Sequence, residues 1–257
     1  MIKKKDNAIL IIKNIISAIM DIFFPTHVNC GLCQADLIGN TYFCKSCLEA
    51  SLPHSEDTCS VCGRLLTLDK AYFEHYRGRC KICQTTFYFF KAHVAFTMYE
   101  GRAKNMLLNV KYRGELQYVP IIAEGLAHAI GNSSFSSDFD YIIPVPIHKF
   151  RKLFRGFNQS EEYALALRDF FPKVTVLKAL KRPKHTKKLK NLDKDSRKKM
   201  LEDAIIIERE CIGVLKGKRV LVIDDIFTTG STLNACAKVL YENGAEVIYA
   251  ATFAMGQ

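Results

Sequence analysis

The sequence predicts a mostly parallel α/β sheet with helices on both faces, preceded by a small Cys-rich domain held together by metal. Three observations carry this. Strand-like and helix-like stretches alternate through residues 86–257, the pattern of a parallel sheet covered on both sides. Val220–Ile223 is an unbroken apolar run rich in β-branched residues, the mark of a strand buried on both faces. Eight of the 10 cysteines lie between Cys30 and Cys83 as four Cys-x-x-Cys pairs, in a stretch too poor in apolar periodicity to build its own core.

The elements follow in order. Apolar residues at 9, 12, 16, 19, 20 and 23 fit one helix face, which Pro25 ends. Lys3-Lys4-Lys5 before an apolar stretch imitates a secretion signal. However, Lys13, Asn14, Ser17 and Asp21 interrupt the run, and no small-x-small cleavage site follows. The expectation is an amphipathic helix packing on a cytoplasmic protein, with no stable membrane insertion and contact with a membrane surface as the lesser reading. Three regions result: 1–25, the N-terminal helix; 26–85, the Cys-rich domain; 86–257, the α/β domain. Within the last, strands are expected at Ala92–Tyr99, Tyr141–Val145, Lys173–Ala179, Val220–Ile223 and Val247–Phe253. Helices are expected at Ala103–Tyr112, Val119–Ile130, Gln159–Phe170 and Ser231–Tyr241. No internal repeat shows beyond the Cys-x-x-Cys pairs themselves.

The formal net charge is +11, with 37 Lys and Arg against 26 Asp and Glu. Such an excess fits an anionic partner (nucleotide, nucleic acid or phosphosugar) or a basic solvated surface. Hydrophobic residues at 49% and charged residues at 25% are ordinary for a globular domain.

The pairs Cys30/Cys33, Cys44/Cys47, Cys59/Cys62 and Cys80/Cys83 supply two sets of four thiolates, the ligand set of a structural, closed Zn²⁺ site. Seventeen residues separate the last two pairs and 10 the first two, the longer spacing lying within the usual zinc range. Iron–sulfur, redox-dithiol and disulfide readings stand beside zinc; a reducing compartment disfavours the last. Consecutive pairing is simplest and a cross-braced arrangement is the alternative. His54 and His75 read as surface residues. Cys211 and Cys236 stand alone and read as buried small residues.

Residues 220–232 read VLVIDDIFTTGST. A buried strand ends at Asp224 and Asp225, then a short loop leads into a helix. Acids at the carboxyl end of a parallel strand lie where open α/β sheets bind ligands. Thr228, Thr229, Gly230, Ser231 and Thr232 offer backbone N–H groups and hydroxyls at a helix N-terminus, a site for a phosphate monoester. Gly230 permits close approach, and the two acids suit the vicinal hydroxyls of a ribose and a cation beside them. A Walker B strand is the rival reading, but the chain has no G-x-x-x-x-G-K-[ST] and no G-x-G-x-x-G. The segment resembles the 5-phosphoribosyl-1-pyrophosphate (PRPP) motif of type I phosphoribosyltransferases.

Residues 142–160 read IIPVPIHKFRKLFRGFNQS. With the cysteine pairs before this segment and the phosphate loop after it, the chain resembles the ComF family, competence-associated phosphoribosyltransferase-like proteins with an N-terminal zinc finger. Tyr99-Glu100-Gly101 and Lys111-Tyr112-Arg113-Gly114 match that family's Y-x-G and K-Y-x-G stretches. The resemblance implies a type I phosphoribosyltransferase-like fold. It places Lys149, Arg151 and Arg155 at a pyrophosphate loop and makes the charged stretch from Lys181 to Lys199 a lid. Arg182, Thr186 and Arg197 match the lid pattern R-x-x-x-T-x-x-Q…R, with Leu189 standing for its Gln and Met200 for a following Asn. These departures bear on turnover rather than on PRPP binding.

The resemblance further implies Mg²⁺ bound with PRPP, Asp224 and Asp225 as the catalytic pair, and a part in the uptake of single-stranded DNA during natural transformation. The alternative is an active phosphoribosyltransferase whose acceptor is read by a variable hood, chiefly residues 86–118. Lys178–Lys199 holds eleven Lys and Arg against two Asp, suited to a polyanion or to a mobile basic lid. Phe87, Tyr88, Phe89 and Phe90 form an aromatic run that reads first as a buried strand and second as a surface for stacking bases.

Overall fold

The computed structural model describes residues 29–37, 41–51, 58–66, 78–183 and 205–256. The N-terminal helix, His54, His75 and the lid residues Thr186, Leu189, Arg197 and Met200 lie outside them. The described residues group into two compact units, one ending at Cys47 and the other beginning at Leu48.

In the first unit, the amide of Cys30 donates to Ala35 O, that of Gln34 to Cys30 O, and that of Cys44 to Cys30 Sγ. A short helix, α1 (Lys45–Glu49), starts between Cys44 and Cys47. The second unit repeats this wiring. Cys59 N donates to Arg64 O, Gly63 N to Cys59 O, and Cys80 N to Cys59 Sγ, before helix α2 (Lys81–Thr85). Even the left-handed turn recurs, at Gln34 with φ 68° and at Gly63 with φ 69°. The Cys-rich segments are thus two copies of one metal-knuckle unit. The repeat escapes a reading by sequence because little beyond the cysteines, Leu37/Leu66 and Lys45/Lys81 is shared.

The α/β part comprises β1 (Ala92–Met98), α3 (Gly101–Arg113), α4 (Val119–Gly131), β2 (Tyr141–Pro144), α5 (Lys149–Arg155), α6 (Gln159–Ala166), β3 (Thr175–Val176), β4 (Leu180–Lys181), β5 (Ile206–Ile207), β6 (Arg219–Phe227), α7 (Ser231–Glu242) and β7 (Val247–Met255). Strands β1, β7, β6, β2 and β3 form one sheet in that spatial order, and every neighbouring pair is parallel. β4 and β5 make a separate antiparallel pair. Alternation along the strands divides the core. Ile143, Val220, Val222, Ile248 and Ala250 join Leu233, Ala237 and Leu240 of α7. On β1 and β7, Phe96 and Phe253 lie against Gly125 of α4, where a Cβ would come within 2.6 Å of the Phe96 ring.

Four expectations change. β6 does not end at its acids but runs through them to Phe227, because β7 continues to pair with it as far as Phe227↔Met255. The strand expected at Lys173–Ala179 shrinks to Thr175–Val176, paired only with Tyr141 and Ile142 at the sheet edge. The helix expected to reach Phe170 tightens into a 3₁₀ turn at Leu167–Asp169. The run from Phe87 to Phe90 is not a strand: Phe90 is buried, Tyr88 and Phe89 are partly buried, and Phe87 is exposed. Cys211 and Cys236 are buried as expected. Among the described residues, no helix is long and apolar enough to cross a membrane.

Candidate phosphate site and metal centres

β2 and β6 lie side by side at the centre of the sheet. From β2 the chain moves outward to β3, and from β6 it moves outward the other way to β7. Their carboxyl ends therefore flank the switch point where doubly wound sheets bind ligands. Both segments singled out by sequence arrive there, one after each strand.

After β2, the basic segment is not the open loop expected. It forms the helix α5, closed by Gly156 in a left-handed conformation with φ 82°. His148 caps the start of α5. Its Nδ1 accepts from Phe150 N at 3.2 Å, and the opposite nitrogen, carrying the proton, donates to Pro183 O at 3.0 Å. A histidine gives no conventional cap signal, which is why the helix was not legible. Arg151 lies close enough to Arg155 and to Arg182 to depress the ionisation of both, after burial, which acts first. Two of the expected pyrophosphate cations, Arg151 and Arg155, are thus gathered with Arg182 of the expected lid, and their mutual repulsion is what a bound anion would relieve. Lys149 lies on the first turn of α5 with its ammonium over the Phe150 ring.

After β6, Asp224 and Asp225 are held by residues that sequence reasoning did not assign to the site. Ser160 Oγ donates to Asp224 Oδ1 at 3.0 Å, and Gln159 Nε2 donates to Asp225 Oδ2 at 3.3 Å. Lys111 Nζ, from the expected hood, pairs with the same Asp225 oxygen at 3.2 Å. Arg155 in turn donates to Gln159 Oε1, so a cation of α5 is joined to Asp225 through one amide. Behind them the hydroxyl of Tyr163 is buried, without a hydrogen-bond partner among the described residues. Burial, helped by the charges of Asp225 and Asp224, pushes its ionisation well up.

Asp224 keeps part of its surface open, yet its carboxyl is pushed up to about 7, first by desolvation and then by the Asp225 charge. The Asp225 amide, at 2.9 Å, and Ser160 pull the other way without prevailing. Two adjacent carboxylates in one crevice resist charging together. Oxygen donors of this kind are the hard ligands that Mg²⁺ takes.

The loop itself starts from the carbonyl of Phe227, which accepts from Gly256 N at 2.7 Å. Gly230, with φ 72°, is the N-cap of α7. A Cβ there would fall 2.8 Å from the Phe227 ring and 2.9 Å from that of Tyr88, so only glycine fits. Thr229 Oγ1 and Ser231 Oγ share a hydrogen bond of 2.8 Å, and Thr232 follows on the first turn of α7. Thr228 and Thr229 are exposed. All five loop residues read from the sequence therefore line one turn beside the acids. Arg182 joins the cations at α5; Arg197 lies outside the described residues.

The cysteines gather as consecutive pairing expects: Cys30, Cys33, Cys44 and Cys47 in one set, and Cys59, Cys62, Cys80 and Cys83 in the other. Within each, the ligand atoms lie within 4.8 Å of one another. Zn–S bonds of about 2.3 Å in a tetrahedron put the sulfurs about 3.8 Å apart. Cys33 Sγ and Cys44 Sγ are 3.6 Å apart, and Cys62 Sγ and Cys80 Sγ 3.8 Å. Both sets can hold a structural zinc, and all ten cysteines are free of disulfides. At Cys30 burial opposes the thiolate, but amides of Cys33, Cys44 and Leu32 outweigh it and hold the thiol down at about 6, the form a metal takes.

Comparison with known proteins agrees with this geometry. Residues 171–257, about a third of the chain, match the family described as "Phosphoribosyl transferase domain". "Competence protein F" of Haemophilus influenzae is 35% identical over 111 residues, 42% of this chain; the chain thus spans about half, 46%, of that relative's length. "Competence protein ComFC" of Bacillus subtilis is 27% identical over 217 residues, covering 79% of this chain and 78% of its own. "DNA utilization protein YhgH" of Shigella flexneri is 32% identical over 109 residues, 42% of this chain and 46% of its own. Among solved structures, a purine phosphoribosyltransferase from Pyrococcus horikoshii overlaps 54% of this chain and 74% of its own. Its 22% identity and TM-score of 0.34 add no weight, and the fold rests on the strand order itself.

The raised carboxyl of Asp224 yields a prediction. Its native ionisation at about 7 lies above the ordinary 3.8, so between those values the folded chain holds a proton the unfolded chain releases. Stability from this group therefore falls as pH rises through that window and is lost above it. Asp224→Asn removes the penalty. Its melting temperature, read by calorimetry without ligand, should exceed the unmodified protein's by on the order of 2–6 °C at pH 8, and the gap should narrow at pH 5. An equal melting temperature at pH 8, or a gap that does not change with pH, contradicts the account.

Proposed function

We propose that this chain, which belongs to the ComF family of phosphoribosyltransferase-like proteins, binds PRPP with Mg²⁺ and acts in the uptake of single-stranded DNA. The observation that carries the phosphosugar half is the cradle at the switch point. A helix N-terminus opened by Gly230 stands beside two carboxylates, and a cluster of arginines lies across the crevice.

Each part has a task. Amides and hydroxyls of Thr228–Thr232 receive the 5-phosphate, where the N-terminus of α7 favours negative charge. Asp224 and Asp225 accept from the ribose hydroxyls, with Lys111 and Gln159 keeping Asp225 in place. Arg151, Arg155 and Arg182 face the pyrophosphate, with Lys149 on the same helix. Asp224 and Asp225 would also hold Mg²⁺, which would supply charge neutralisation to the bound phosphosugar. Leu189 and Met200, where the lid pattern has Gln and Asn, favour binding over transfer to an acceptor.

The DNA half rests on a surface the sequence did not single out. Helix α5, which also carries Lys149, Arg151 and Lys152, exposes Leu153 by 79% and Phe154 by 90%. Tyr112, 71% exposed, lies under the Arg155 guanidinium at 5.9 Å. Cations interleaved with open aromatic faces suit the backbone and bases of a single strand. By contrast, the run of aromatics at 87–90 leaves only Phe87 well exposed.

Two outcomes follow. Ribose 5-phosphate, or PRPP with Mg²⁺, at a hundredfold excess over its Kd should stabilise the protein by about 2.7 kcal/mol, read as a rise in melting temperature of about 5–10 °C. Gly230→Val should abolish the rise, since its side chain meets the Phe227 and Tyr88 rings. No shift with either ligand at millimolar concentration sinks the reading. Single-stranded DNA should bind with little sequence preference and steeply falling affinity as salt rises. Phe154→Ala should weaken that binding at least about fivefold and leave the phosphosugar shift intact. Unchanged DNA affinity in this variant, or normal transformation in a deletion strain, would contradict the uptake role. Pyrophosphate release on adding a nucleobase would instead mark a working transferase.

A further inference from the structure

Four consecutive residues of the phosphate loop are touched from behind by groups that belong to, or border, the second cysteine site. The Phe227 ring stacks on His93 with centroids 4.2 Å apart. His93 is itself stapled to the knuckle: its amide donates to Val61 O at 2.8 Å, and its Nδ1 lies 2.8 Å from Cys62 O. The Thr228 carbonyl accepts from Arg64 Nη2 at 3.2 Å, and Arg64 O accepts in turn from Cys59 N at 2.8 Å. The Thr229 carbonyl accepts from Tyr88 Oη at 3.0 Å. Gly230 is the position where a Cβ would strike the Tyr88 ring. Tyr88 packs against the core cluster that contains all four cysteines of this set.

The consequence is one of peptide geometry. In a trans peptide the C=O and the following N–H point in opposite directions. Tying back the carbonyls of Thr228 and Thr229 turns the amides of Thr229 and Gly230 the other way, off the knuckle. Among the described residues neither amide donates to an acceptor of the protein. All four cysteines of this set are buried and share the core that holds Phe90, Phe227 and Leu233. Gly63, whose Cβ would lie 2.7 Å from His93 O, lets the knuckle lie flat on β1.

We propose that the second cysteine site is part of the phosphate site: it fixes Arg64 and Tyr88 as positioning residues that aim the loop amides at the 5-phosphate, so that metal there and phosphosugar on the loop stabilise each other. The inference rests on the phosphosugar reading and adds to it a coupling between two sites. Coupling of this kind is reciprocal. The metal of the second set should raise affinity for the phosphate, and phosphate on the loop should protect that metal.

The test uses the full zinc-loaded chain and two probes, ribose 5-phosphate and inorganic pyrophosphate, titrated separately by calorimetry. Tyr88→Phe and Arg64→Met each delete one tie to a loop carbonyl. Each variant should keep the zinc content of the unmodified protein and bind ribose 5-phosphate about 3–10-fold more weakly. Pyrophosphate, held by the cations at α5, should bind as before; a general loss of structure would weaken both. Variants that bind ribose 5-phosphate as tightly as the unmodified chain overturn the proposal. An unmodified chain that binds none overturns the phosphosugar reading beneath it. Should a variant shed zinc, the unmodified chain still decides. At a fixed chelator concentration, saturating ribose 5-phosphate should increase retention of one of its two zinc ions and leave the other unchanged; equal retention with and without the ligand refutes the coupling.

Discussion

Two neighbouring carboxylates, Asp224 and Asp225, sit together at the centre of a parallel sheet, and much of the surrounding structure answers that constraint. Charging both in one crevice is costly, and burial first, then the charge of Asp225, raise the ionisation of Asp224. Lys111, Gln159 and Ser160 converge on the pair from two helices. β6 carries the acids inside its ladder rather than beyond it, so their spacing is set by pairing with β7. A rigid strand thus presents the acids, while the loop that follows is free to be shaped from behind.

The shaping comes from the second of two near-identical cysteine units. Both share the hydrogen-bond pattern of a metal knuckle, and small Cys-rich regions use metal in place of core. The second set differs in being buried throughout and continuous with the apolar core of the sheet. Its contacts reach Thr228 and Thr229, so a structural metal centre and a ligand-facing loop become one mechanical element. The cations of α5 stand on the opposite strand of the switch point, joined to Asp225 through Arg155 and Gln159.

Much of this was legible in the sequence because its signals are local. Val220–Ile223 announced a buried strand, and the acids, threonines and glycine that follow announced the loop within nine residues. The cysteine spacing announced two four-thiolate sets but left consecutive and cross-braced pairing both open, and the structure gathers them consecutively. What was not legible is what the fold brings from far away. Lys111 reaches Asp225 across 114 positions, and Arg64 reaches Thr228 across 164; such contacts leave no periodicity to read. Helix α5 was hidden because Phe150, Leu153 and Phe154 lie exposed among its cations and its cap is a histidine. The short β3 misled because a β-branched run promises more ladder than a sheet edge provides.

The central claim is that the loop amides, turned outward by their tied carbonyls, hold the 5-phosphate beside the acid pair. A crystal structure of the zinc-loaded protein with ribose 5-phosphate tests it most directly. The account predicts phosphate oxygens about 2.7–3.2 Å from the amides of Thr229 and Gly230, the ribose hydroxyls on Asp224 and Asp225, and the carbonyls of Thr228 and Thr229 still bonded to Arg64 and Tyr88. A phosphate bound elsewhere, or a loop whose carbonyls have left Arg64 and Tyr88 to admit it, would contradict the account.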